Sequence, residues 1–200
     1  LVASSKIPQP RPSVRERLLA AADELFDAEG VHSVGIDRVI DRAGAAKASL
    51  YRTFGSKEDL VAAYLDARHL AIRQYILAAV ELQSEPRARL LAVFDAQAQW
   101  LERATYHGCS FTRASAEPSA GEKVHRETAR YRQDVQAIFT RLAADADVGD
   151  AATLGIQLFL LYQGASAIPS NEQQAAMLLA LHAAARSLID AAVEPVASGE

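Results

Sequence analysis

Cysteine is almost absent from this chain. Cys109 is the only one in 200 residues. A single thiol excludes an internal disulfide and fits a reducing compartment. No run of about 18 apolar residues appears, so no membrane span is expected. The opening residues LVASSKIPQPRP lack the apolar centre of a signal peptide, which makes the cytoplasm the expected location. β-Branched residues do not cluster, and no stretch alternates apolar and polar residues as a half-buried strand does. A phosphate-cradling glycine loop, a zinc-hydrolase histidine pair and a nucleophile elbow are also missing. Acidic pairs such as Asp23-Glu24 lie at helix positions expected to be exposed. The expectation is therefore no enzyme and no cofactor.

Histidine is scarce too, at five residues. His107 and Cys109 form a cluster of only two, with His69 and His125 remote in sequence. Zinc sites show paired ligands at short spacing. Ordinary packing is the expectation here, with no metal. What the chain does have is alanine, leucine and a regular supply of charge. Half of it is apolar and 23% is charged, the balance of a globular protein. The composition and periodicity together predict an all-α fold.

The net charge of −4 argues mildly against a nucleic-acid partner, so its distribution matters. Residues 1–60 hold nine basic and nine acidic side chains; the remaining 12 basic and 16 acidic ones lie in 61–200. The acidic excess is thus confined to the second part. Within 35–57, Arg38, Arg42, Lys47, Arg52 and Lys57 stand against Asp37 and Asp41, a net of +3. Such segregation suits a DNA-reading head on an acidic body.

The stretch IDRVIDRAGAAKASLYRTFGSKEDL, 36–60, organises the rest. Ile36, Val39, Ile40 and Ala43 recur at helical spacing and predict a helix over Ile36–Ala43. Gly44 follows where a helix needs a residue tolerant of positive φ. A second helix is predicted over Ala46–Arg52, with Leu50 inward and Lys47, Ser49, Tyr51 and Arg52 presented outward. Phe54-Gly55 breaks it. Ser56, with Asp59 three residues on, starts a third helix through an acidic variant of the capping box. A helix, a glycine-containing turn and a short polar helix form the unit that places a recognition helix in the DNA major groove.

On these residues the chain resembles the tetracycline-repressor (TetR) family of bacterial regulators. The family pattern runs roughly A-G-V-S-x-x-T-L-Y-x-x-F-x-S-K-E-x-L. Ala43, Gly44, Leu50, Tyr51, Phe54, Ser56, Lys57, Glu58 and Leu60 match it. Ser49 replaces a threonine, Ala45 a valine, and Ala46 stands where serine is common. Val34-Gly35 stands where the family has Thr-Ser or Thr-Val, so a hydroxyl cap and phosphate contact are missing there. The signature covers about a quarter of the chain. The resemblance implies an N-terminal three-helix DNA-binding head joined to a C-terminal helical body for ligand binding and dimerisation. It also implies a homodimeric repressor that a small-molecule effector releases from a palindromic operator.

Carried over residue by residue, the resemblance puts Lys47, Ala48, Ser49, Tyr51 and Arg52 on or at the end of the recognition helix. Arg52 and Lys47 suit guanine O6/N7, and Ala48 a thymine methyl. Tyr51, Lys57 and Thr53 are phosphate candidates. The expected domains are a flexible arm over 1–12, the head over 13–58, the body over 59–193 and a disordered tail over 194–200. Lys6, Arg11, Arg15 and Arg17 in and beyond the arm could lie along phosphates or enter the minor groove, although incidental terminal charge is the plainer account.

The first helix is predicted from a Ser13 cap, with Glu16 at the box position, to Glu29, ended by Gly30. A long helix should run from Ser56 to about Glu81, and another from Pro86, a residue suited to the first helical turn, to about Arg103. A short helix or turn is expected over Thr112–Pro118, then a helix over Gly121–Asp145 burying Val124, Thr128, Tyr131, Val135, Ile138, Phe139 and Leu142. Asp150 should cap a helix over Ala151–Ala167 that is apolar nearly all round, hence central or at an interface. Asn171 should cap the last helix, to about Val193. The resemblance implies that the last two long helices pair with their copies in a second subunit. It also implies an effector pocket in the body, for which Phe94, Trp100, Phe111, Tyr131, Tyr162 and Gln163 are lining candidates. The alternative is a helical small-molecule-binding protein or enzyme that has lost sequence-specific DNA binding; the Val34-Gly35 departure and the acidic body are its support.

Overall fold

The computed structural model describes residues 11–103, 106–168 and 171–193. Every regular element among them is helical. The elements are α1 (Val14–Glu29), α2 (Ile36–Ala43), α3 (Lys47–Phe54), α4 (Lys57–Glu81), α5 (Pro86–Leu101), α6 (Ser110–Ser115), α7 (Glu122–Asp145), α8 (Ala151–Ala165) and α9 (Gln174–Val193). The chain divides into two compact units, Leu1–Tyr64 and Leu65–Glu200. The division falls within α4, six residues beyond the boundary expected at 58. Expectations for the arm up to residue 10, Lys6 included, and for the tail over 194–200 lie outside the described residues.

In the first unit, Ser13 closes a complete capping box. Its Oγ accepts from the Glu16 amide at 3.2 Å, and the Ser13 amide donates to Glu16 Oε2 at 2.7 Å. These bonds hold the Glu16 carboxyl below the usual range. Gly30 ends α1 at φ +87°, a region that only glycine enters at low cost. Leu18, Ala21, Ala22 and Phe26 are the buried residues of α1, Leu19 and Leu25 are half-buried, and Phe26 meets Tyr64 edge-on at 5.5 Å. Val34, Val39, Leu50 and Leu60 complete this small core. The hydroxyl of Ser56 accepts from the Asp59 amide at 3.0 Å, which is one half of a capping box; the same hydroxyl, rather than the Ser56 amide, donates to Asp59 Oδ2 at 2.6 Å.

In the second unit, α7 buries all seven of its expected positions. Its closest neighbour is α8. A Cβ on Gly155 of α8 would stand 2.3 Å from Thr140 Oγ1 and 2.8 Å from Thr140 Cα. Glycine is therefore what lets the two helices approach. Asp150 caps α8 through the Thr153 amide at 3.0 Å, and Pro86 sits in the first turn of α5. A smaller apolar cluster joins Leu101, Ala165, Ile168 and Leu178.

Several boundaries differ from expectation, each for a local reason. α3 extends through Thr53 and Phe54, because the Gly55 amide still bonds the Tyr51 carbonyl at 2.8 Å. α5 stops at Leu101, where the Arg103 amide turns to the Trp100 carbonyl. α6 begins at Ser110 rather than Thr112, because Gly108 at φ +102° turns the chain and Cys109 takes the cap position. α8 ends at Ala165 in tightened three-residue turns over Ser166–Ile168. Asn171 does not cap α9 directly. Its Oδ1 accepts from the Gln173 amide, forming an Asx turn, and the helix starts at Gln174.

α9 also revises the membrane expectation. It is the one helix among the described residues long and apolar enough to cross a bilayer by composition, with a mean hydropathy of 1.5 over its most apolar window. Alanine supplies much of that value. The helix buries Leu178, Ala185 and Ile189 and pairs His182 with Asp95 and Asp190 with Arg87.

Candidate nucleic-acid interface

The turn between α2 and α3 is built from backbone bonds and one guanidinium. Gly44 adopts φ +56° and ψ +45°, so its amide reaches the Asp41 carbonyl and the Ala45 amide reaches the Ile40 carbonyl. This is the Schellman closure of a helix. Arg17 of α1 lies over the same end. Its Nε donates to the Ala43 carbonyl at 3.1 Å and its Nη2 to the Gly44 carbonyl at 3.5 Å. From the sequence, Arg17 is one of four cations that could lie along phosphates, with incidental charge the plainer account. Its geometry makes it a positioning residue for the turn, a role no local pattern reveals because its acceptors lie 26 and 27 residues away. Arg15 packs its guanidinium 5.7 Å from the Phe54 ring.

Neither α2 nor α3 has a side-chain cap. Gly35 and Ala46 occupy the cap positions in extended conformation, and Val34 is fully buried. The departure from the family pattern at Val34-Gly35 thus has the local consequence expected of it: the hydroxyl cap is missing.

α3 is eight residues long, with Leu50 buried at 0% exposure. Leu50 fixes the orientation of the rest. Lys47, Ala48, Tyr51 and Arg52 share the exposed face, as positions i, i+1, i+4 and i+5 of a helix do. Ser49 and Thr53 are half-buried at its edge. The Thr53 hydroxyl donates to the Ser49 carbonyl at 2.7 Å, which commits its proton to the helix. The Arg52 guanidinium lies 3.4 Å from Ser49 Oγ and bonds no carboxylate among the described residues. Lys57, half-buried at the start of α4, is likewise in no ion pair among the described residues.

The other cations of the stretch are engaged. Arg38 grips Glu29 through two bonds of 2.6 and 2.8 Å, and Arg42 grips Glu24 through Nε at 2.9 Å and Nη2. Lys47 Nζ pairs with Asp37 Oδ1 at 2.9 Å, which raises the ammonium's pKa. The local excess of +3 is therefore offset in space by Glu24 and Glu29 of α1, outside the window in which it was counted. Arg38 and Arg42 brace α2 against α1, and Arg52 and Lys57 are left for an outside anion.

The second unit gathers four of the six expected pocket residues. Phe111 stacks on Tyr131 at 3.9 Å and 5°, and the hydroxyls of Tyr131 and Tyr162 meet at 3.3 Å. Phe94 packs on Phe139, which meets Tyr162 edge-on at 6.0 Å. Burial pushes the Tyr162 phenol up to about 12 and Tyr131 well above its ordinary value. Two polar residues outside the six join them, Gln97 and His69. Gln97 Nε2 donates to the Tyr162 carbonyl at 2.7 Å. His69 meets Tyr131 edge-on and binds Asp134 Oδ2 through Nε2 at 2.9 Å. His69 Nδ1, Thr128 Oγ1 and Gln163 Oε1 are buried without a hydrogen-bond partner among the described residues. Trp100 stands apart, against Tyr75 at 5.5 Å with Arg103 4.2 Å over its ring. A cleft of about 510 Å³ between α4 and α5 is floored by Ala78, Ala79, Ala92 and Ala96 and edged by Tyr75 and Asp95. None of the six expected residues lines it.

Comparison with known proteins gives the arrangement its context. Residues 18–64 match the model of bacterial regulatory proteins, tetR family. The chain is similar to SCO4454 of Streptomyces coelicolor, a TetR-family transcriptional regulator, at 31% identity. The superposition covers 90% of this chain and 96% of that one, with a TM-score of 0.82. Over 91 residues it is 38% identical to the HTH-type transcriptional activator FasR of Mycolicibacterium smegmatis, covering 43% of this chain and 41% of FasR. Over 73 residues it is 37% identical to the HTH-type transcriptional regulator LmrA of Bacillus subtilis, covering 36% of this chain and 39% of LmrA. The matches thus span about two fifths of the length of these curated relatives.

Proposed function

Since the chain belongs to the TetR family of bacterial regulatory proteins, we propose that it is a cytoplasmic DNA-binding transcriptional regulator: a homodimeric repressor that a small-molecule effector releases from a palindromic operator. The observation that carries this reading is the exposed face of α3. Lys47, Ala48, Tyr51 and Arg52 share it, and Leu50 and the Arg17-braced turn hold it in place. A short helix with long donors on one face matches major-groove recognition. Arg52, bonded to no carboxylate among the described residues, is the residue we assign to a guanine edge; Lys57 and Tyr51 are assigned to phosphates.

Two further features support the dimer and the effector. On α8 and α9, Ile156, Leu160, Met177 and Leu179 are 46%, 62%, 43% and 73% exposed. Large apolar side chains left uncovered on two adjacent helices suit a second copy of the same surface. The enclosed cluster of Phe111, Tyr131 and Tyr162, with His69 edge-on to Tyr131, is the place we assign to an effector. Its ligand must favour the arrangement of the heads that does not fit DNA, because only differential affinity moves an equilibrium.

Selection from randomised duplex DNA at near-physiological salt tests the reading. Enrichment of a two-fold-symmetric site is the expected result; a folded dimer that enriches nothing would overturn it. Arg52→Ala should cost about 1–3 kcal/mol on the enriched site and relax its sequence preference. The relative FasR is named an activator, so a reporter driven from the enriched site reads whether the output is repression or activation.

A further inference from the structure

The pair between Asp37 and Lys47 joins the two helices of the DNA-reading unit. Asp37 lies in the first turn of α2, and Lys47 is the first residue of α3. Their charged atoms are 2.9 Å apart, with the side chains 72% and 59% exposed. The neighbouring cation on α2, Arg38, is committed through both of its terminal nitrogens to Glu29. On the surface proposed to meet DNA, a carboxylate therefore stands beside a cation expected to contact that DNA.

An ammonium has three N–H donors. Against a guanine edge, which is neutral, Lys47 can keep one donor on Asp37 and offer another to O6 or N7. Against a phosphate the two anions compete for the ammonium, and their like charges repel. We infer that Asp37 is a specificity-determining residue: by holding Lys47 it weakens phosphate-only binding more than it weakens binding to the cognate bases. This rests on the proposed assignment of Lys47 to the DNA interface. Sequence-independent binding is driven by counterion release from phosphates. A cation masked by its own carboxylate takes little part in that release.

Four proteins test it: the unaltered chain, Asp37→Asn, Lys47→Ala and the double variant. Each is titrated by fluorescence anisotropy, across a salt series, against a random-sequence duplex and against the enriched site. Asp37→Asn should tighten binding to the random duplex by about two- to fivefold, the worth of an exposed ion pair. It should also steepen the salt slope by about 0.9, the share of one extra phosphate. Tightening on the enriched site should be smaller, and both changes should vanish when Lys47 is alanine. Tightening that persists in the Lys47→Ala background would mean simple repulsion between Asp37 and the backbone, and would overturn the inference. Equal tightening on both duplexes would do the same, as would no change. The double variant also guards against a folding artefact, because a weakened α2 lowers binding in both backgrounds. If Lys47→Ala leaves binding to both duplexes unaltered, the assignment of Lys47 to DNA fails and the inference with it. If no site is enriched, the random-duplex measurements still decide whether Asp37 masks Lys47.

Discussion

α3 and α9 leave surfaces of opposite chemistry open. α3 buries one residue, Leu50, and exposes Lys47, Tyr51 and Arg52. α9 buries three, Leu178, Ala185 and Ile189, and exposes Met177, Leu179 and a series of alanines. The chemistry of an exposed face indicates the partner it suits. Long donors on a short helix suit an anionic, hydrogen-bonding partner, whereas an apolar face suits one that also gains by leaving water. Burial differs as well. The first unit holds its turn by a few bonds from α1, and the second depends on close helix approach and enclosed aromatic rings.

The sharpest way to break the contrast is at Leu50. Leu50→Ala removes the one side chain of α3 that is wholly buried and should cost about 3 kcal/mol. Thermal unfolding followed by circular dichroism would show the loss, and DNA binding should fall with it. An unchanged melting temperature would mean that α3 is held in some other way.

Alkali should act on the second unit. Burial raises the Tyr162 phenol from 10.0 to about 12 and raises Tyr131 as well. The unfolded chain therefore releases these protons first. Stability from this source is fully present below pH 10 and is lost as pH rises through about 12, by on the order of 2–3 kcal/mol for Tyr162. Tyrosinate absorbance should show phenols titrating late, together with unfolding. All six tyrosines titrating near 10 in a folded protein would contradict this.

Gly155→Ala comes next. Its Cβ would press into the backbone of Thr140, and overpacking of this kind costs about 1–3 kcal/mol. The loss should appear in denaturant unfolding. Gly164→Ala, on the same helix with open space around its Cβ, is the control expected to be neutral or slightly stabilising.

The smallest effect is a gain. Ala46 occupies the uncapped N-terminus of α3. Ala46→Ser should supply the missing acceptor and stabilise the first unit by about 1 kcal/mol. A denaturation midpoint that does not rise would show that the serine leaves the amides of α3 uncapped.

The ends of α1 and the bounds of α2 were legible because their signals are local. The capping box of Ser13 and Glu16, the left-handed Gly44 and the cap at Asp150 each involve residues within a turn of one another. The stripe of α7 was legible for a related reason, since one helix repeats its buried face at a fixed period. The exposed face of α3 followed from the position of Leu50. The grouping of the aromatic side chains in the second unit was only partly legible. Aromatic type picks out residues that cluster somewhere, but not which cluster each one joins.

By itself, then, the sequence determined an all-helical chain, most helix termini, a helix-turn-helix and the side chains that α3 turns outward. Each of these depends on contacts three to five residues apart, where backbone geometry leaves few choices. Only the tertiary structure decided which charges find partners. Arg17 turned to the carbonyls of Ala43 and Gly44, Arg38 to Glu29, Arg42 to Glu24 and Lys47 to Asp37. It also placed Trp100 away from Tyr131, brought His69 to Tyr131 and set Gly155 against Thr140. These partners lie on different helices or loops. Which ones meet depends on how closely and at what angle the elements pack, and helical periodicity alone carries no record of that.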